Sequence, residues 1–248
     1  MKKVFCYLLL IFSILNATSC KKDCNNPPSQ EVKTLSLQPG PEDGQDCIVA
    51  FRQDGKGITS NTNQSNNPDI DASAWTYDND GWWVYNSDGT GLGLNRTYLK
   101  FTGLDTLSPK IIIKSAKLFF QGISPGDATA SPQGNSSYPG APSYYRSNET
   151  LIKRVLTDWD ESTITWNNKP ATTDENQIEM PASTSEWFYN LSNIEVTEMV
   201  KIMVTKKQNF GFCLQLKEET PFRSISFYGS EIPEPTARPK LLIEYTEK

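Results

Sequence analysis

Apolar residues come in short runs in this chain, many alternating with polar ones, and Gly, Pro, Asn, Ser and Thr stand between the runs. A half-buried strand needs that two-residue period, because successive side chains point to opposite faces. Turn residues at short intervals fold such strands into antiparallel sheets. The pattern predicts strands over 34–37, 46–51, 96–101, 116–121, 150–156, 163–167, 187–191, 210–216, 223–228 and 240–245. Phe212, Leu214 and Leu216 would share one face, as would Leu241, Ile243 and Tyr245. One segment has another period: Val196, Met199, Val200, Met203 and Val204 follow the spacing of an amphipathic helix. Its methionines read as core filler. The expected class is all-β, a jelly-roll-like antiparallel β-sandwich with one short amphipathic helix.

The N-terminus has a different character. Met1-Lys2-Lys3 is basic, Val4 to Leu15 is almost wholly apolar, and Ala17-Thr18-Ser19 sets small residues before Cys20. That is the make-up of a secretory leader, and about a dozen apolar residues fall short of the roughly 20 that span a bilayer. Ala17-Thr18-Ser19-Cys20 resembles the lipobox of bacterial lipoproteins, which implies cleavage before Cys20 and lipidation of that cysteine. The expected division is a leader over 1–19, a lipidated tether over 20–31 and one β-sandwich domain over 32–248. The tether is polar and rich in Asn and Pro. Acyl chains would then be the sole membrane contact, placing the domain outside the cytoplasm, on the outer membrane or cell surface.

Export permits disulfides. Cys47 and Cys213 both sit in strand-like segments, either bridged or free, and Cys24 lies in the tether. Without residues 1–19 the formal net charge goes from −5 to −7, so nucleic acid is not an expected partner, since phosphate binding needs a basic surface. The chain has no histidine, which removes Ser-His-Asp and Cys-His nucleophile systems, histidine bases and histidine metal ligands. Carboxylates remain for a glycosidase pair. The densest acidic cluster, Asp158, Asp160 and Glu161, flanks Trp159 in a segment that also holds Trp166, and these tryptophans read as core, so a structural role is expected and no catalytic residue is assigned.

Two long stretches, 54–95 and 122–148, read as irregular. The first holds Trp75, Trp82, Trp83 and Tyr85 among Asp78, Asn79, Asp80, Asn86 and Asp88; the second holds Tyr144 and Tyr145. Sugar rings stack their CH faces on aromatic rings while Asn and Asp bond the hydroxyls. Trp75, Trp82, Trp83, Tyr85, Tyr144 and Tyr145 are therefore the candidate glycan-binding residues. Asp78, Asp80 and Asp88 offer oxygen ligands for a structural calcium, although Thr76 and Ser87 stand where an EF-hand has carboxylates.

The segment Trp159-Asp160-Glu161-Ser162-Thr163-Ile164-Thr165-Trp166-Asn167-Asn168-Lys169-Pro170 resembles the W-x-E-x-T-[VI]-T-W-N-N-x-P signature of DNRLRE-domain proteins. That family is related to disaggregatase repeats and to a carbohydrate-binding-module family. Val196-Thr197, Asn209-Phe210-Gly211-Phe212, the Ser224 to Glu231 segment and Arg238-Pro239-Lys240-Leu241 follow in the family's order, and upstream strands extend the resemblance over about 35–245. The resemblance implies a β-sandwich on a secreted or surface protein. Taken with the lipobox and the aromatic candidates, the expected function is a cell-surface lipoprotein that binds a polysaccharide without catalysis; the alternative is a structural or adhesive surface lipoprotein with no glycan affinity.

Overall fold

The computed structural model describes residues 30–79, 83–84, 89–126 and 133–247. In chain order the strands are β1 (Lys33–Leu37), β2 (Gly44–Gln53), β3 (Thr59–Gln64), β4 (Asp69–Tyr77), β5 (Trp83–Val84), β6 (Gly91–Phe101), β7 (Ile112–Phe120), β8 (Thr150–Val155), β9 (Thr172–Met180) and β10 (Leu191–Glu195). Helix α1 (Thr197–Lys206) follows, then β11 (Phe212–Leu216), β12 (Arg223–Tyr228) and β13 (Lys240–Thr246). Residues 31–248 form one unit. Every strand pairing is antiparallel, in one sheet of order β1-β13-β7-β10 and a larger one of order β12-β4-β6-β11-β8-β9, to which β2, β3 and β5 add. The all-β sandwich expected from the alternation is the fold observed.

Strand β6 organises the larger sheet. β2 runs along one edge from Leu92 to Phe101, so the other edge is divided between β4 at Gly91 to Asn95 and β11 at Thr97 to Leu99. Where β4 leaves β6, the Thr97 hydroxyl donates to the Asp71 carbonyl at 2.7 Å and accepts from the Asp71 N–H at 3.1 Å, replacing a ladder pair. The main core joins the sheets: Phe120 of β7 stacks on Phe227 of β12 with centroids 5.1 Å apart, and Leu118, Ile243, Leu214 and Ile225 are wholly buried. Helix α1 closes this core with Met199, Val200, Met203 and Val204, the residues picked out by its periodicity. It ends at Lys207, whose left-handed backbone lets its N–H bond the last carbonyls.

A second, smaller core lies apart from the first. Cys47 of β2, Tyr98 of β6 and Cys213 of β11 form one cross-strand row, covered by Val155, Trp159 and Ile164. Both cysteines are free and buried. With β6 between them they stand two strand spacings apart, about 9.5 Å, beyond the roughly 7 Å a disulfide spans. The bridged alternative is therefore excluded.

Four further expectations are corrected. The 54–95 stretch is not irregular, for it contains β3, β4, β5 and the start of β6. β3 has the sequence TSNTNQ, so no apolar alternation marks it. β4, DIDASAWTY, is buried on both faces, with Ile70, Ala72 and Ala74 in the main core, and alanine is too small an apolar signal to reveal the period. Residues 163–167 are turn and irregular backbone rather than a strand, and of 187–191 only Leu191 is in a strand. Trp166 is half-buried at the rim of the second core, since the turn carries it past the covered face.

Candidate functional site

The aromatic candidates that the structure brings together are Trp75, Tyr144 and Tyr145, joined by Phe222, which the sequence reading had not picked out. Trp75 alternates with Ala74 on β4 and so points away from the main core. Its ring meets Tyr145 at 5.6 Å and Phe222 at 5.9 Å, both edge-on, and its Nε1 donates to the Val84 carbonyl at 2.9 Å. Tyr144 packs edge-on against Tyr145 at 5.2 Å and Phe222 at 5.5 Å. Burial divides the four. Trp75 and Tyr145 are 5% and 7% exposed, whereas Tyr144 and Phe222 are half-buried and keep ring surface for a ligand. Phe222 is held at φ 72°, a conformation uncommon for a bulky side chain; its N–H donates to the Ala74 carbonyl and its carbonyl accepts from the Arg146 N–H.

The 133–148 segment that carries the tyrosines is pinned by buried polar groups. Gln133 uses its amide as a strand residue would, donating to the Ser226 carbonyl at 2.7 Å and accepting from the Ser226 N–H at 3.0 Å. Gly134 exchanges two backbone bonds with Ser224, and a Cβ at Gly134 would stand 2.9 Å from the Trp75 ring, so only glycine lets the chain pass there. Asn148 binds Ser224 and, through both ends of its amide, Ser183; Asn135 also donates to the Ser183 carbonyl. The segment thus covers the outer edge of β12 and holds Tyr144 in place. Beside it, burial together with Glu186 and Tyr144 raises the Tyr138 phenol above its usual range.

On the Trp75 side of β4 a polar line crosses three strands. Arg52 of β2 donates to Asn95 of β6 at 2.7 Å, and Asn95 donates to both carboxylate oxygens of Asp71 of β4 at 2.9 and 2.8 Å. The Arg52 guanidinium lies 5.6 Å from the Tyr77 ring centre. Burial raises the Asp71 carboxyl, opposed by its bonds to Asn95 and Ser73 and by the Arg52 charge. Only the alternation of Asp71, Ser73, Trp75 and Tyr77 in the sequence could have marked this line.

The other candidates fall elsewhere. Trp82, Tyr85, Asp80, Asp88 and Cys20 lie outside the described residues, and Trp83 is described only as backbone of β5. Asp78 accepts the Gly55 N–H at its carbonyl. Among the described residues no three His, Cys, Asp or Glu side chains converge on a metal position, and no helix is long and apolar enough to cross a membrane.

The signature carboxylates have structural partners. Asp158 pairs with Lys100 at 2.9 Å, which holds its carboxyl below the usual range. Asp160 accepts the Ser162 N–H at 2.9 Å to form a turn, and Glu161 accepts the Asp46 N–H at 2.9 Å. Asn168 closes the next turn on Thr163 and Thr165, and Asn63 of β3 holds the Glu161 and Ile164 carbonyls. Trp159 donates to the Phe210 carbonyl and meets Tyr98 edge-on. Trp166 lies between Phe51, Arg96 and Lys169, with the cations 4.9 and 4.0 Å from its ring.

Compared with known proteins, the family model of carbohydrate-binding module family 96 matches residues 71–245. The match runs from within β4 into β13 and takes in Trp75, the pinned tyrosine segment, the signature and α1. No curated protein matches the chain.

Proposed function

The chain belongs to carbohydrate-binding module family 96, and from that premise we propose that it grips a polysaccharide without catalysis, at the rim formed by Tyr144 and Phe222. The observation that carries this reading is the division of the aromatic cluster into a buried pair, Trp75 and Tyr145, and a half-exposed pair braced against it. A platform held before the ligand arrives does not lose side-chain freedom on binding. Arg52, Asn95 and Asp71 supply hydrogen-bonding groups on the same side of β4. The formal charge of −7 without residues 1–19 favours neutral or weakly charged polysaccharides. A lipid on Cys20 would hold this platform outside the cytoplasm, on the outer membrane or cell surface.

The signature carboxylates read as structural, since Lys100, the Ser162 N–H and the Asp46 N–H engage them. Glycoside hydrolysis needs two carboxyl groups about 5–10 Å apart across a sugar-sized cleft. Asp46 and Glu161, both with raised pKa, are instead joined through the Asp46 backbone, whose N–H donates to the Glu161 carboxylate at 2.9 Å.

A glycan array probed with the full-length chain tests the proposal. Tyr144→Ala and Phe222→Gly should each weaken binding about fivefold, the worth of roughly 1 kcal/mol of ring contact, with a melting temperature within a few degrees of the parent. Glycine suits the positive φ at 222, so that variant removes the ring without adding backbone strain. No binding to any glycan, or binding that both variants leave intact, would favour a structural or adhesive surface protein, a reading supported by Trp75 and Tyr145 being used for packing.

A further inference from the structure

A side chain on left-handed backbone needs a reason, and a bulky one most of all. Five non-glycine residues have positive φ among those described: Asn176, Phe188, Asn193, Lys207 and Phe222. Asparagine adopts the conformation readily, and Lys207 caps α1. The remaining two are phenylalanines, Phe222 at φ 72° and Phe188 at φ 56°. Both border the pinned 133–148 segment. The Phe222 carbonyl accepts the Arg146 N–H, and the carbonyl of Glu186, two residues before Phe188, accepts the Gln133 N–H at 2.9 Å.

Stability does not account for Phe188. Its ring is 57% exposed, the one aromatic among the exposed large hydrophobic residues described, so neither burial of the ring nor a relaxed backbone favours phenylalanine there. The backbone is nonetheless fixed. Its N–H donates to the Ile123 carbonyl at 3.2 Å, and the next residue, Tyr189, packs against the main core and donates its hydroxyl to the Ala182 carbonyl at 3.3 Å. Gly122 passes so close that a Cβ on it would stand 2.8 Å from the Phe188 carbonyl carbon. A firm mount that holds an aromatic ring in solvent suits stacking on a ligand, because little freedom is lost when the ring is covered.

The place of Phe188 relates it to Tyr144 and Phe222. Phe222 immediately precedes β12, and Phe188 is bonded to the chain beside Gly122, which bridges Phe227 near the other end of that strand. From 222 to 227 an extended strand advances about 17 Å, the length of several sugar rings. Half-buried Tyr138 links the two regions, since its phenol is within the influence of both Tyr144 and Glu186. Resting on the reading of Tyr144 and Phe222 as a glycan platform, we propose that Phe188 is a second stacking platform for the same ligand. The domain then grips an internal run of a long neutral polysaccharide rather than a single sugar or a chain end.

The test is calorimetric titration of the full-length chain with trisaccharides and octasaccharides prepared from laminarin, xylan and mannan. The parent should bind an octasaccharide more tightly than the matching trisaccharide, because only the longer chain reaches both platforms. Phe188→Gly suits the positive φ and should melt within a few degrees of the parent. It should remove about fivefold of the octasaccharide advantage, the worth of one ring stack, whereas Phe188→Tyr, which keeps a ring, should retain that advantage. An advantage undiminished in Phe188→Gly, in a protein whose binding Tyr144→Ala weakens, would overturn the second platform and spare the first. Equal affinity of the parent for the two lengths would overturn it as well, and no binding of any of these oligosaccharides would overturn both platforms.

Discussion

Trp159 and Trp166 belong to one signature but have different roles. Trp159 is 9% exposed, with its indole N–H bonded to a carbonyl, so Trp159→Ala should cost about 3–5 kcal/mol in urea unfolding. Trp166 is half-exposed and offers mainly a face to two cations, so Trp166→Ala should cost only about 1–2 kcal/mol; equal losses would show that both rings are core. The cysteines are settled at the same scale. Burial pushes the Cys47 and Cys213 thiols up to about 12, and an alkylating agent attacks the thiolate. Peptide mapping after iodoacetamide at mildly alkaline pH should find both unmodified in the native protein and both modified in urea. Labelling of either without denaturant would contradict its burial.

Among the elements, α1 was legible because its apolar residues recur at helical spacing and all face one core. The strands with clean alternation, such as β11 and β13, were legible for the corresponding reason. β3 and β4 were not. β3 pairs with β2 through its backbone and takes Asn61 and Asn63 as tethers for the signature turn, so it needs no apolar face. The opposite error, a strand over 163–167, arose because Thr-Ile-Thr-Trp-Asn has strand composition, whereas Asn168 and Asp160 bond the local backbone and hold turns. The 122–148 stretch read as irregular, and its 133–148 part has no strand of its own but serves as an edge cover for β12. Gln133→Ala would leave the Ser226 N–H and carbonyl without partners, at a cost of about 1–3 kcal/mol. Limited proteolysis should then cut the segment around Tyr138 faster than in the parent; an unchanged rate would mean that Gly134 and Asn148 hold it alone.

For the whole molecule, the proposed lipid anchor is tested apart from the domain. If Cys20 carries lipid, a palmitate analogue should label the parent in cells and leave Cys20→Ala unlabelled; equal labelling would remove the anchor. The sequence by itself determined the class of the domain, because strand and helix periods are local, and excluded histidine chemistry, because composition needs no coordinates. It also marked Trp75 with Trp82, Trp83 and Tyr85 in one stretch, and Tyr144 with Tyr145 in another, as glycan-binding candidates. Tertiary structure alone decided which rings keep a free face, that Phe222 joins them, that β6 separates Cys47 from Cys213, and that Asp46, Glu161 and Ser230 meet. Each of these depends on what lies across a sheet or under a loop, and partners brought together by long-range pairing leave no period in the chain.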